Sequence, residues 1–241
     1  MNRVLLCLLP SVYAACAIAA DVVQTPLVLQ YDVRPPFVMP NADGSIGGKV
    51  AVATVAAMEK AGIPYVWRNA SPTRQLANLR ANLEPLCGIG WYKTPERQTF
   101  AKYSRAIYQD APMIGVANIH FQAPENPRVE DVLGRADVSV LLKESVVYGP
   151  YLDAQFAAMK ARPVKSYESY AKLIKLVQIG RVDLTFVPLE EAEYFVADMG
   201  YRQEDFHFIR FTDMPQGEKR YIICSMKTDD AVLQRIDAAL K

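Results

Sequence analysis

Histidine is scarce in this 241-residue chain. There are two, His120 and His207, far apart, and no His/Cys cluster has the spacing of metal ligands, so no bound metal is expected. Missing too are GxSxG, SxxK, HExxH and any glycine-rich phosphate loop, and neither histidine is placed as a convincing general base. No enzymatic activity and no cofactor are expected. Charge of one sign is also lacking: 27 basic and 26 acidic residues leave a net charge of +1, no footing for nucleic acid or an acidic membrane. Low-complexity segments and sequence repeats are absent. What remains, with 51% hydrophobic residues, is enough for one large domain or two smaller lobes.

Cysteine is limited to four residues, and the N-terminus decides their meaning. Asn2 and Arg3 precede an apolar stretch from Val4 to about Ala20, with small residues at its end. This describes a secretory signal peptide over residues 1–20, cut after Ala19 or Ala20. A membrane anchor would be at the lower limit of length, ~17 residues, and Pro10 interrupts it. A lipoprotein cut before Cys16 is the alternative, against which Tyr13 stands where an aliphatic residue is usual. The mature chain is expected to be exported and periplasmic. It keeps Cys87 and Cys224, an even pair in an oxidising compartment and so a disulfide candidate. The other reading is two buried free thiols, since bonding requires Cα atoms within ~7 Å.

Along the mature chain, strands and helices alternate. PLVLQYD (26–32) reads as a buried strand ended by Pro35-Pro36, and residues 49–61 as a helix closed by Gly62 and Pro64. PYVWR (64–68) is a second strand. Ser71-Pro72 supplies an N-cap and an N1 proline for a helix with Leu76, Leu79 and Leu83 as its apolar stripe. LCGIG (86–90) is a third strand, and this βαβαβ order argues for a parallel sheet covered by helices. Residues 106–121 form a long extended apolar run that can carry the chain into a second lobe. There follow VSVLL (138–142), a helix from Pro150 to about Ala161, PVKSY, a helix capped by Ser166, VDLTFVP (182–188), FHFIRF, RYIICSM and a closing helix AVLQRIDAAL. The chain thus divides into lobe 1 (21–108 and 212–241) and lobe 2 (109–211) of an α/β fold.

Ligands of open α/β sheets bind where strand ends feed helix starts. The distinctive junction here is GIGWYKTPER. Thr94 and Pro95 open a helix whose free amides attract an anion, and Arg97 on its first turn offers a planar donor fork suited to carboxylate. Trp91 and Tyr92 stand beside it as a stacking wall. Arg74, on the first turn after Ser71-Pro72, is a further candidate for the cleft. Tyr148 and Tyr151 flank another helix start, either facing the cleft or covering the second lobe. Lys143 and Glu144 read as a solvated turn, and Trp67 as core.

YDVRPPF, a GGK helix start, ASPTRQLANL, GIGWYKTPERQTFAKYS and GRVDLTFVP come in that order over nearly the whole mature chain. In this it resembles the type II periplasmic solute-binding proteins, most of all extracellular solute-binding family 3, which includes amino-acid receptors of ABC importers. The resemblance implies two α/β lobes joined by two crossover strands, with an interlobe ligand cleft. It implies a monomer that hands a small-molecule ligand to a membrane permease, or alternatively a sensor subunit that docks on a membrane signalling protein. Gly90 and Arg97 match the positions that hold a ligand α-carboxylate, and Ser145 falls in the second-lobe loop that completes that site. Tyr92 stands where the amino-acid receptors have threonine, and Tyr31 where an acidic residue is common, with Asp32 next to it. Pro188 stands in place of the aspartate that pairs with the α-ammonium group. The expected ligand is therefore a carboxylate or other planar anion without a free α-amino group, its apolar body held by Trp91, Tyr92, Tyr31 and Phe37. Some cyclohexadienyl dehydratases resemble the same family; such an enzyme here would need Glu190, Glu191 or Asp32 for proton transfer. Glu190 and Glu191 are expected to point into solvent.

Overall fold

The structure, a computed structural model, describes residues 25–144 and 146–240; the segment expected to be a signal peptide, and Ser145 among the site candidates, lie outside the described residues. Strand β1 (Leu27–Tyr31) leads through a cis Pro35-Pro36 bond and a small ribbon of β2 (Met39–Pro40) and β3 (Ile46–Gly47) to helix α1 (Lys49–Lys60). Then come β4 (Tyr65–Asn69), α2 (Pro72–Ala81), β5 (Leu86–Tyr92), the four-residue α3 (Pro95–Gln98) and β6 (Ala101–Gln109). The middle of the chain contributes β7 (Met113–Asn118), α4 (Val129–Leu133), β8 (Ser139–Lys143), α5 (Pro150–Ala158), β9 (Arg162–Ser166), α6 (Tyr170–Gln178), β10 (Leu184–Pro188), α7 (Leu189–Asp198) and β11 (Phe206–Ile209). Strand β12 (Lys219–Ser225) and helix α8 (Asp230–Ala239) close it.

These strands form two five-stranded sheets, β4-β1-β5-β12-β6 and β11-β7-β10-β8-β9. The fold is therefore two-lobed α/β. In the first sheet β1 runs parallel to β4 and β5, whereas β12 returns antiparallel between β5 and β6. In the second, β8 runs parallel to β9 and β10, and β7 antiparallel to β10 and β11. The run 106–121 is thus split: β6 belongs to the first sheet, β7 to the second, and only residues 110–112 cross between them. The return crossing is tied to the outward one, the Asp110 amide donating to the Glu218 carbonyl at 3.0 Å.

Local chemistry places the elements. Ser71 caps α2 by accepting from the Arg74 amide, with Pro72 in its first turn, and Asn82 ends the helix in the left-handed region at φ 49°. That early stop corrects the expected stripe: Leu79 is buried, but Leu83 lies beyond the helix and is 78% exposed. Ser169, not Ser166, caps α6, because Tyr170 rather than an earlier residue begins its buried face; Ser166 instead accepts from the Glu168 amide. Both faces of the second sheet are packed, around Phe186 and Leu152 on one side and Leu141, Ile174 and Val177 on the other. Trp67 is only partly buried, packed against the first lobe's core.

Cys87 on β5 and Cys224 on β12 face each other across the sheet and form a disulfide. It joins residues 137 apart and pins the return strand, after its excursion through the second lobe, to the strand that leads into the cleft. Closing so long a loop restricts the unfolded chain, so Cys87→Ser/Cys224→Ser is expected to lose about 2–4 kcal/mol of stability. Urea unfolding of the oxidised protein and the variant measures it. A variant as stable as the oxidised wild type would show that the bond contributes nothing.

Candidate functional site

The cleft begins at β5. This strand does not stop before the two rings but carries them, and its alternation sends them to opposite faces. Trp91 donates from Nε1 to Gln75 Oε1 at 3.0 Å. Tyr92, buried on the other side, donates to Asp110 and lies beneath the Arg220 guanidinium, 4.9 Å from its ring centre. Gly90, just before them, has φ +76°, and a side chain there would meet Val50 Cγ1 at 3.2 Å, so glycine lets the strand lie against α1. Helix α1 in turn orients the PPF loop: its first amides, from Lys49, Val50 and Ala51, donate to the Pro36 and Phe37 carbonyls.

Thr94 caps α3 as the sequence predicts, accepting from the Arg97 amide at 3.2 Å. The helix has only four residues, however, and Thr94 lines a neighbouring recess with Lys93, Pro95 and Glu218 rather than the main cleft. The expected use of the amides beyond Thr94 as a socket is corrected accordingly: a single short turn with its cap already satisfied has little to offer an anion. The side chain of Arg97 remains. It turns back to donate to the Tyr92 carbonyl at 2.9 Å and lies over the Trp91 ring at 4.8 Å. It is 9% exposed, and burial pulls its pKa below the ordinary value. No carboxylate forms a salt bridge with it among the described residues.

Arg97 shares one cleft with Asp32, Arg34, Phe37, Ile89, Gly90, Trp91, Tyr92 and Arg220 of the first lobe and Val146 and Val147 of the second, around a cavity of about 110 Å3. Against the ~300–1,000 Å3 of pockets for drug-sized ligands, this suits a compact solute. Tyr31 is not on the lining; it packs edge-on against Trp67 at 5.7 Å. Arg74 is exposed and also off the lining, because Gln75 and Leu79 form the inward face of α2 and Arg74 sits one step round it. Tyr148 and Tyr151 serve the second lobe: Tyr148 accepts from the Lys143 amide at 2.7 Å, and Tyr151 donates to Asp213 at 2.7 Å. Lys143 is less solvated than its sequence setting predicts, with Nζ donating to the Glu168 carbonyl at 2.6 Å and lying 5.3 Å from the Tyr170 ring.

Two ion pairs that sequence reasoning missed organise the cleft. At the crossings, Arg220 donates from Nε and Nη2 to the two Asp110 oxygens at 2.5 and 2.7 Å, and from Nη1 to the Gly90 carbonyl at 3.0 Å. Its guanidinium stacks 4.0 Å from the centre of the Phe37 ring. Between the lobes, Arg34 donates to both oxygens of Glu191, at 2.6 and 3.0 Å, and to the Tyr170 hydroxyl at 3.1 Å. Burial alone would lower the Arg34 pKa, but the negative charge of Glu191 beside it prevails and holds it well above its ordinary value. Burial raises Asp32 above the usual carboxylate range, while the Lys143 and Arg34 charges draw it back down.

Glu191 overturns the expectation of solvent-facing acids. Its side chain is fully buried, and Glu190 accepts from both the Tyr108 hydroxyl (2.9 Å) and the Ala111 amide (2.8 Å). The reason is that β10 runs into α7 at Pro188 with no loop, so both acids lie in the first helical turn, beside the crossings. A signal was present in the sequence: Glu191 is four residues before Phe195, on the helix face that buries Phe195 and Ala192. Among the described residues, no group of three His, Cys, Asp or Glu side chains could hold a metal ion.

No protein-family model matches the chain, and no curated protein matches its sequence. Solved structures do. An ancestral arginine-binding protein bound to arginine superposes with a TM-score of 0.70 at 16% identity, covering 90% of this chain and 91% of its own. The arginine-, lysine-, histidine-binding protein ArtJ from Geobacillus stearothermophilus gives 0.68 at 19%, covering 90% and 88%. The fold is that of the type II periplasmic binding proteins. A third match is the substrate-binding protein of an amino acid ABC transporter, with a TM-score of 0.66 at 14% identity, covering 90% and 92%. Among the described residues no helix is long and apolar enough to cross a membrane.

Proposed function

We propose that this type II binding protein works in the periplasm as a solute receptor, capturing a small carboxylate-bearing ligand between its lobes and delivering it to an ABC importer. The observation that carries the reading is the charge inventory of the cleft. Arg34 and Arg220 each have a carboxylate of their own, whereas Arg97, buried on the same wall, has only a carbonyl and a ring. A buried guanidinium without a salt-bridged carboxylate favours an incoming planar anion, which it can grip through two parallel hydrogen bonds. Gly90 and the Trp91 and Phe37 rings supply the adjoining backbone and apolar wall. Weighing against a dehydratase is the Glu191 carboxylate, both of whose oxygens are occupied by Arg34; Glu190 accepts from Tyr108 and Ala111 through Oε1 alone, and its Oε2 is buried without a hydrogen-bond partner.

Delivery by such receptors accompanies lobe closure, and the two crossings with their Asp110–Arg220 pair form the natural hinge. Isothermal titration with short mono- and dicarboxylic acids, set beside the common amino acids, tests the ligand class. Carboxylates without an α-amino group are expected to bind, and amino acids at least tenfold more weakly. Exclusive binding of neutral or cationic solutes would overturn the reading.

A further inference from the structure

Arg34, on the cleft lining, reaches across to Glu191 of the other lobe, 157 residues away, whose buried side chain is itself off that lining. Around the guanidinium stand the Tyr170 ring at 4.9 Å, the Phe37 ring at 5.7 Å, the Tyr170 hydroxyl and both Glu191 oxygens. A wholly buried carboxylate with two aromatic rings around the cation it binds is the chemistry of a cation site, and a planar guanidinium fills it through paired hydrogen bonds and ring contacts. The cation found there belongs to the chain itself.

We propose that Arg34 is a specificity-determining residue: its side chain occupies, from within the protein, the place beside Glu191 that a ligand's ammonium or guanidinium group would take. The inference rests on the proposed ligand site at Arg97 and deepens it, because with the cation place filled the cleft admits an anion and rejects amines. A ligand amine would have to displace a bidentate ion pair, leaving the part-buried Arg34 without its partner. Pro188, which carries no charge, offers no second place for it. Asp32 is the remaining cleft carboxylate, and the Arg34 and Lys143 charges already act on it.

The experiment cuts off the intrinsic cation and offers it back. Arg34→Ala removes an ethylguanidinium's worth of atoms, so ethylguanidinium and L-arginine are the probes, read by calorimetry and by the rise in melting temperature. Arg34→Ala is expected to bind either probe at least tenfold more tightly than wild type, which should bind neither appreciably. Arg34→Ala/Glu191→Leu, which removes both charges of the pair, should lose that gain. Arg34→Ala indifferent to both probes would overturn the proposal. So would a gain that persists in the double variant, or wild type binding L-arginine tightly, a readout that needs no variant to fold. Carboxylate titration of wild type is read separately: its failure would sink the Arg97 site while leaving the result at Glu191 standing on its own.

Discussion

Asp110→Ala is expected to destabilise the protein by about 3–5 kcal/mol, the cost typical of removing one partner of a buried ion pair. Asp110 and Arg220 are among its most enclosed charges, with side chains 1% and 3% exposed. Truncation leaves the guanidinium against the Phe37 and Tyr92 rings with only the Gly90 carbonyl and the Tyr92 hydroxyl to solvate it, and takes from Tyr92 its acceptor. Asp110→Leu/Arg220→Met should recover most of the loss, because a packed apolar pair removes the uncompensated charge. Urea midpoints for wild type, Asp110→Leu, Arg220→Met and the double variant close the cycle. A cost below about 1 kcal/mol for Asp110→Ala would mean that water reaches the crossings and that the pair is no tighter than a surface salt bridge.

The second large effect is on binding. Arg97→Ala should weaken the ligand by about 2–5 kcal/mol, the range for truncating one partner of a buried hydrogen-bonded charge pair, or thirtyfold and more. Stability should move far less, since Arg97 in the free protein holds one carbonyl and no salt-bridged carboxylate. Removing it even relieves the burial that lowers its pKa. Arg97→Lys keeps the charge but loses the fork, and should fall between the two. Binding unchanged in Arg97→Ala would remove the anion site from this wall of the cleft.

Much of the architecture was legible because each element announces itself locally. Ser71-Pro72 starts a helix, the apolar run at Leu86 makes a buried strand, and an even pair of cysteines in strand-like runs became the Cys87–Cys224 bond. Ser166 and Ser169 are both residues that can cap a helix, and only the inward direction of Tyr170 makes Ser169 the cap. Residues 106–121 read as one apolar run because strands of two different sheets abut, with Asp110 the single charge in the crossing.

At the site, the residues of one contiguous junction, Gly90 to Arg97, were legible as a group, because strand and cap chemistry lie side by side. The partners of Arg34 and Arg220 were not, since each pair joins segments more than a hundred residues apart and sequence spacing carries no trace of that meeting. Glu191 shows the cost. Taken as an exposed residue on an acidic helix start, it is instead the fully buried anchor of the interlobe contact.

The most direct measurement is native mass spectrometry of freshly purified protein, with any retained ligand released by denaturation and identified. The expected result is a small molecule bearing a carboxylate and no amine, present in wild type and lost from Arg97→Ala. An amino acid such as arginine or glutamine recovered from wild type, or the same ligand retained undiminished by Arg97→Ala, would contradict it.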